Sequence, residues 1–192
     1  MKRIAIIDDN AKERFVVKGL IEECGFTVVA EGSNGEEAVE ICRTKSPDIV
    51  IMDVKMPVKD GVCAASEISR DCPVPVVLLT ARGDEDTVKR AAEAGVMAYL
   101  MKPVRLEDLR PAIELALTRF EEFQMLRKEN RDLKNAIQAR KSIEKAKGLL
   151  MEREKLSENS AFSRIRKISM DKRKSMAEIA EVIIMAFEGK NG

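Results

Sequence analysis

The chain contains no histidine among its 192 residues. This absence excludes histidine metal sites, Ser–His and Cys–His catalysis, and self-phosphorylation on histidine. Aromatic residues make up only 4% of the sequence, so a core must be packed from aliphatic side chains, methionine and alanine. No apolar run approaches membrane-spanning length, and the apolar stretch after the basic start ends too soon for a signal peptide. We therefore expect a soluble, cytoplasmic protein without a membrane partner.

Cysteine is also sparse. The four cysteines form no CxxC pair, and three of them fall at helix-like positions. We interpret Cys24, Cys42, Cys63 and Cys72 as reduced, partly buried thiols, with a disulfide or a zinc site as the alternative.

Short apolar runs alternate with amphipathic, helix-length segments from Arg3 to about Ala116. The apolar runs are residues 4–7, 26–30, 49–52, 76–79 and 97–100. Asn10 with Glu13 and Asn34 with Glu37 have the spacing of capping boxes at helix starts. This alternation predicts an α/β fold with a doubly wound, five-stranded parallel sheet, whose strands all end at one edge.

Chemically active side chains stand where these predicted strands end. Asp8 and Asp9 follow the first strand, Asp53 the third, Thr80 the fourth and Lys102 the fifth. Crowded carboxylates repel one another unless a cation joins them, and an oxygen-only ligand set suits Mg²⁺. A carboxylate beside Mg²⁺, a lysine and a hydroxyl is a chemically sensible phosphoryl acceptor. We predict that Asp53 is the phosphoacceptor, assisted by Lys102 and Thr80.

Residues 3 to about 117 resemble the receiver domain of two-component response regulators. The matching segments are Ile7-Asp8-Asp9, Met52-Asp53 with Met56-Pro57 and Gly61, Leu79-Thr80-Ala81, and Tyr99-Leu100-Met101-Lys102-Pro103. The resemblance implies that a sensor histidine kinase phosphorylates Asp53 and that the backbone carbonyl of Lys55 joins the three aspartates around Mg²⁺. It also implies a cis Lys102-Pro103 bond and a switch in which Thr80 and Tyr99 move together.

A long helical segment follows the predicted receiver and has no glycine before Gly148. Heptad positions a and d would be occupied, over roughly two and a half heptads, by Phe123, Leu126, Asn130, Leu133 and Ile137. Opposite charges at the flanking positions have the spacing of pairs between two parallel chains. We therefore predict a homodimer favoured by phosphorylation, with a single amphipathic helix folded back onto its own chain as the alternative.

The carboxyl-terminal segment is basic, although the net charge of the whole chain is only +1. Between Arg140 and Lys174 there are twelve basic and five acidic residues, a surplus of +7. Three apolar stripes in the same region predict three helices, the second capped by Ser157 and the third by a Ser175–Glu178 box. Such a surplus is typical of a protein that binds phosphate backbones, although a solvated basic face without a ligand is the alternative.

Residues 140 to about 188 resemble the ANTAR domain, the RNA-binding module of antitermination regulators. The resemblance rests on Arg140-Lys141, the run from Ala146 to Met151, Ser157-Glu158 with Ala161-Phe162, Ile165-Arg166, Met170, and Ala180 with Val182-Ile183-Ile184. It implies binding to paired hairpins in a leader transcript. The predicted RNA contacts are Arg140, Lys141, Lys147, Arg166, Lys172 and Arg173.

Two positions depart from the ANTAR pattern. Lys155 replaces a glycine in the turn after the first helix, and Ser169 replaces an alanine. We expect the first change to lengthen or reshape that helix.

The sequence thus predicts a receiver domain at residues 1–118, a coiled-coil linker at 119–139 and an ANTAR-like three-helix domain at 140–192. Its function would be phosphorylation-dependent binding of structured leader RNA to prevent transcription termination. We expect no enzymatic output, because no catalytic constellation follows Lys102. The alternative is a response regulator whose helical tail acts through protein contacts or DNA binding.

Overall fold

The computed structural model describes residues 1–81 and 85–188. Its strands are β1 Arg3–Ile7, β2 Thr27–Gly32, β3 Ile49–Asp53, β4 Val76–Thr80 and β5 Ala98–Met101. Its helices are α1 Ala11–Glu23, α2 Gly35–Lys45, α3 Gly61–Asp71, α4 Glu85–Glu93, α5 Leu106–Glu154, α6 Glu158–Lys172 and α7 Met176–Glu188. Among the residues described, no helix has the length and apolar character needed to span a bilayer.

The strands form one parallel sheet in the order β2-β1-β3-β4-β5. The predicted sheet is therefore confirmed, and the ends of its strands differ from the predicted ones by at most two residues. The direction of winding reverses between β1 and β3. In sheets of this kind, the crevice at that reversal, beyond the carboxyl ends of the strands, is where ligands bind.

Each face of the sheet is covered by helices. Along β1, Ile4 and Ile6 belong to a buried cluster shared with α1 and the first turns of α5. The alternate residues, Ala5 and Ile7, belong to a second cluster shared with α2, α3 and α4. This alternation follows from the two-residue period of a strand, and it explains why β3 and β4 are apolar and buried along their whole length.

The predicted helix caps are confirmed. The side chains of Asn10 and Asn34 each accept hydrogen bonds from two backbone N–H groups in the first turns of α1 and α2. Ser157 caps α6, and Ser175 exchanges hydrogen bonds with Glu178 at the start of α7. Each cap satisfies backbone donors that a helix start otherwise leaves unpaired.

The chain divides into two compact units after Gln124. α5 is continuous across this boundary and through Gly148. In the second unit, the last turns of α5 pack with α6 and α7 around a small core formed by Ala146, Leu150, Ala161, Ile165, Ile179 and Ala180. The long helix and the small all-α domain are therefore confirmed, whereas the limits at residues 118 and 139 stay predictions.

The two departures from the ANTAR pattern have structural consequences. α5 ends at Glu154, and Lys155 takes a left-handed backbone conformation with a φ of 56°. The helix is therefore not lengthened, because the lysine adopts the backbone conformation that a glycine normally takes at a helix end. In the last turn of α6, the Ser169 hydroxyl donates a hydrogen bond to the carbonyl oxygen of Lys174 at 2.7 Å. This serine thus closes the turn towards α7.

Candidate functional site

Three aspartates meet at the carboxyl edge of the sheet. Asp8 follows β1, and Asp53 is the last residue of β3, its immediate neighbour. One carboxylate oxygen from each of Asp8, Asp9 and Asp53 lies within 4.8 Å of the others. Asp8 is fully buried and Asp53 is 9% exposed. The sequence prediction that strand order would bring these residues together agrees with this geometry.

Lys102 balances part of the negative charge. Its Nζ lies 2.8 Å from Oδ2 of Asp8, 2.9 Å from Oδ2 of Asp53 and 2.7 Å from Oε2 of Glu13. Burial alone would lower the pKa of Lys102, but the carboxylates outweigh burial and raise it above its usual range. The three carboxylates therefore stabilise the charged form of the ammonium. The peptide bond to Pro103 is cis, as the receiver resemblance implies.

Burial and a neighbouring charge act in opposite directions on the Asp53 carboxylate. Burial raises the pKa of Asp53, and the nearby Lys102 ammonium opposes that rise. Three carboxylates and one ammonium leave the cluster short of positive charge, and the donors are all hard oxygens. The donor set therefore fits a hard divalent cation such as Mg²⁺. Lys55, whose backbone carbonyl is the fourth predicted ligand, lies two residues beyond Asp53 in the loop before α3.

The loop after Asp53 depends on a glycine. The N–H of Gly61 donates to the carbonyl oxygen of Val54 at 2.9 Å. A Cβ atom at Gly61 would lie only 2.1 Å from the carbonyl oxygen of Asp53, so no larger residue fits without moving the loop. Gly61 thus lets α3 begin against the acceptor residue.

The two predicted switch residues lie on neighbouring strands. Thr80 ends β4 and is buried, and its carbonyl oxygen accepts a hydrogen bond from the N–H of Lys102 at 2.8 Å. Tyr99 lies on β5 opposite Leu78, and its side chain is 52% exposed. The fold thus places Thr80 at the acceptor edge and Tyr99 at the surface.

The predicted RNA contacts divide into two groups. Arg140 and Lys141 on α5, Arg166 and Lys172 on α6, and Arg173 after α6 are exposed. Lys147 differs, because its side chain is only 12% exposed and its Nζ lies 2.8 Å from both Glu144 and Glu158. These carboxylates raise the pKa of Lys147. Lys147 therefore ties α5 to the start of α6.

Two more ion pairs join the helices of the second unit. Arg164 on α6 contacts Glu154 at the end of α5. Lys145 on α5 lies 2.5 Å from Glu188 at the end of α7. Part of the basic surplus is thus neutralised within the fold, and the exposed arginines and lysines carry the rest.

The predicted dimer residues lie along α5. Leu126, Leu133 and Ile137 are 63%, 58% and 57% exposed, and Phe123 is 38% exposed. Asn130, at the intervening position, is exposed as well. The stripe defined by these five residues, called the α5 stripe below, presents apolar surface of the kind that a second helix buries.

Residues 4–114 match the family described as the response regulator receiver domain, which is more than half of the chain. Residues 131–184 match the ANTAR domain. The chain belongs to the response regulator family.

One of the similar proteins matches this response regulator across both units. The transcriptional regulatory protein PdtaR of Mycobacterium tuberculosis is 44% identical over 183 residues, covering 95% of this chain and 89% of that protein. Chemotaxis protein CheY of Bacillus subtilis is 38% identical over 116 residues, covering 60% of this chain and 97% of that protein. A solved response regulator receiver domain protein from Clostridium thermocellum superposes with a TM-score of 0.58 at 34% identity, covering 64% of this chain and 99% of that one. The response regulator therefore combines a receiver with an ANTAR-type RNA-binding domain.

Glu13 is a site residue of this response regulator that the sequence reasoning missed. Its spacing from Asn10 indicates only a role in the cap of α1, and Asn10 does donate a hydrogen bond to its Oε1 at 3.1 Å. Its other oxygen contacts Lys102. The sequence position of Glu13 could have revealed this role. Glu13 follows Asp8 and Asp9 by about one helical turn, and the first turn of α1 starts at the same edge of the sheet.

Proposed function

We propose that the protein is a phosphorylation-controlled antiterminator, which binds paired hairpins of a leader transcript and thereby prevents the terminator from forming. The observation that carries this proposal is the acceptor cluster, in which Lys102 contacts Asp53 and Asp8 within 3 Å, in a chain that also has an ANTAR domain. The acceptor cluster would receive the phosphoryl group, and the ANTAR domain would bind RNA in response.

The input reaction would be phosphoryl transfer from a partner histidine kinase. A carboxylate oxygen of Asp53 attacks the phosphorus of phosphohistidine, the P–N bond breaks, and the imidazole nitrogen leaves with its electron pair. Lys102 is already placed to neutralise charge on the transferring group, and the Thr80 hydroxyl would donate to a phosphoryl oxygen. Mg²⁺, held by Asp8, Asp9, Asp53 and the Lys55 carbonyl, would supply further positive charge at this position.

The switch would start from the contacts of Lys102. In the resting geometry its ammonium is shared by three carboxylates. A phosphoryl group on Asp53 adds strong acceptor oxygens and would draw Lys102 away from Glu13. Thr80 would turn towards the same oxygens, and Tyr99 would move inward from its exposed position. The surface formed around β5 would change as a result.

The output would use the exposed basic residues of the second unit. Arg140, Lys141, Arg166, Lys172 and Arg173 are free of the interhelical ion pairs described above, and their charges face solvent. Lys147 stays on the list of predicted contacts, but its ion pairs give it a structural role first. Phosphate contacts of this kind should make RNA binding weaken steeply as salt is raised.

The α5 stripe would link input to output. A population shift from mostly inactive to mostly active needs about 5 kcal/mol of differential stabilisation, to which a dimer interface can contribute. Pairing of two stripes after phosphorylation would present two ANTAR domains together, which suits a target made of two hairpins.

The deciding experiment measures binding of the full chain to a tandem-hairpin leader RNA and to duplex DNA of the same sequence, with and without beryllofluoride as a phosphoryl mimic. Tighter binding to RNA than to DNA, strengthened by the mimic, is the expected result. The Asp53→Asn variant is the control and should bind equally with and without the mimic. Equal binding to RNA and DNA in both states would contradict the proposal.

A protein-binding tail is the second candidate, and α7 favours it. This helix has no basic residue, and its exposed surface includes Val182 and Met185, which are 57% and 71% exposed. Such a face offers no basic group to RNA phosphates, and its exposed apolar side chains suit a protein partner. Binding to that partner would change little with salt, which distinguishes this candidate from RNA binding.

A further inference from the structure

The structure places one pair of the four cysteines, Cys42 and Cys72, in the same part of the core. Cys24, at the end of α1, belongs to the buried cluster on one face of the sheet. Cys42 on α2 and Cys72 after α3 belong to the cluster on the opposite face. Cys63 is exposed in the first turn of α3. It lies nine residues before Cys72, or about 13 Å along a helix, which is beyond the reach of a disulfide.

Cys42 and Cys72 lie in the same region of the core, where the ends of α2 and α3 meet. Their neighbours Arg43 and Asp71 form an ion pair, with Nη2 and Oδ2 3.2 Å apart, which fixes the end of α2 against the end of α3. Arg43 also contacts Glu67 one turn earlier on α3. Cys72 packs against the buried cluster that contains Cys42, and its thiol adds to the raised pKa of Cys42. Two thiols in one cluster, held by two helices that are themselves bridged, need little backbone movement to join.

We infer that Cys42 and Cys72 form a site of reversible oxidation, at which a low-molecular-weight disulfide such as oxidised glutathione converts the two thiols into an intramolecular disulfide. Nothing in phosphoryl transfer or RNA binding uses these residues, so the site is independent of the proposed function.

Solvent exposure decides which of the two cysteines reacts first. Burial raises the pKa of the Cys42 thiol to about 12. Burial also raises the pKa of Cys72, but this residue is partly exposed and the Arg43 guanidinium opposes the rise. The Cys72 thiolate attacks one sulfur of oxidised glutathione, and the first glutathione leaves as a thiolate. Cys42 then loses its proton and attacks the Cys72 sulfur, and the second glutathione leaves. Two cysteines lose two electrons and two protons, and one glutathione disulfide becomes two glutathiones.

The disulfide would act on the acceptor loop, which consists of residues 54–60. The N–H of Gly35 at the start of α2 donates to the carbonyl oxygen of Lys59 at 3.1 Å. The N–H of Gly61 at the start of α3 donates to the carbonyl oxygen of Val54. Both helices thus hold this loop at their amino-terminal ends. Joining their carboxyl-terminal ends should restrict the loop next to Asp53.

The test uses the full chain, incubated natively with oxidised glutathione and then alkylated under denaturing conditions. Digestion with trypsin and a glutamate-specific protease separates Cys24 from Cys42, because several glutamates lie between them. We expect a linked pair of peptides containing Cys42 and Cys72, a fall in free thiols from four to two, and full reversal by dithiothreitol. Hydrogen exchange of residues 54–60 should slow in the oxidised form.

The matched variants are Cys63→Ser, which should form the same link, and Cys72→Ser, which should not. A peptide map that shows links through Cys24 or Cys63, or only glutathione adducts on Cys72, would overturn the inference. Unchanged hydrogen exchange in a fully linked sample would refute the proposed effect on the acceptor loop while leaving the oxidation site itself in place.

Discussion

At the scale of single residues, the acceptor loop contains a conformation that does not suit its side chain. Val58 has a φ of 68° and is 77% exposed. A β-branched side chain in the left-handed region costs on the order of 1–3 kcal/mol, and an exposed valine recovers little of this by packing. The strain lies five residues after Asp53, in the loop that connects the acceptor to α3.

Val58→Gly should therefore stabilise the first unit. Glycine relieves the backbone strain, and this gain in free energy is larger than the cost of making the unfolded chain more flexible. We expect the free energy of unfolding, measured with urea, to rise by about 1 kcal/mol. Val16→Gly is the control, because Val16 is an exposed valine within α1 and its replacement should destabilise slightly, since glycine is the poorer helix former. Equal or lower stability of Val58→Gly would show that the loop is not strained.

Single residues also show what the sequence can and cannot predict. Asp8, Asp53 and Lys102 were found because they end apolar runs, and strand order alone brings such ends to one edge. Glu13 was missed because one side chain serves both the α1 cap and Lys102. The φ of Val58 could not be predicted, because nothing in the identity of a valine indicates a left-handed backbone.

At the scale of elements, helix caps were predictable and helix ends were not. Short polar motifs such as Asn34 with Glu37 contain their own hydrogen-bond partners, so local sequence determines them. The end of α5 is different. The usual glycine signal is absent at Lys155, and the helix stops there because Leu156 and the start of α6 pack back onto the second core. Tertiary packing, which local sequence does not reveal, decides that boundary.

The cap of α2 makes stability depend on pH. Hydrogen bonds donated by the Ser33 N–H and by other groups of the turn hold the pKa of Glu37 below its ordinary value of 4.5. Because the pKa of Glu37 is lower in the folded than in the unfolded protein, its carboxylate stabilises the folded state at pH values above the unfolded pKa. This stabilisation is lost as the pH falls through the folded pKa. Glu37→Gln should therefore be less stable than the wild type at pH 7, by an amount limited by solvent screening.

The measurement is urea unfolding of both proteins from pH 7 down to pH 3. The difference between them should shrink as pH falls below 4.5 and vanish at the acid end. Glu40→Gln, which changes an exposed glutamate of the same helix, should have a smaller effect throughout. A difference between wild type and Glu37→Gln that is constant with pH would rule out the charge as its source.

Gly148 permits a test on α5. It lies within the helix, it is exposed, and a Cβ atom there would meet nothing within 4 Å. Gly148→Ala should raise the free energy of unfolding of the second unit by about 1 kcal/mol, because alanine restricts the unfolded chain more than glycine. Gly61→Ala is the opposite case and should destabilise, because its Cβ would meet the Asp53 carbonyl. A lower stability of Gly148→Ala would contradict the expected gain. If the variant is more stable but binds RNA more weakly, Gly148 lies on the RNA contact surface.

At the scale of the whole molecule, the α5 stripe makes coupling between phosphorylation and assembly testable. Leu133 is 58% exposed, so Leu133→Glu should leave each protomer folded. In a paired stripe the same side chain would be buried at a d position, where a charge facing its symmetry mate is strongly unfavourable. We therefore expect this variant to remain monomeric with beryllofluoride, under conditions in which the wild type dimerises in sedimentation velocity.

Met125→Glu is the matched control, because Met125 is 70% exposed, lies one residue from Leu126 and falls outside the a and d positions. It should dimerise like the wild type, whereas Asp53→Asn should not respond to the mimic. Since the two glutamate substitutions add the same charge to the same helix, only the position in the heptad separates them. Dimerisation of Leu133→Glu equal to that of Met125→Glu would mean that the α5 stripe is not the interface, and the link between Asp53 and the basic domain would have to run through a single chain.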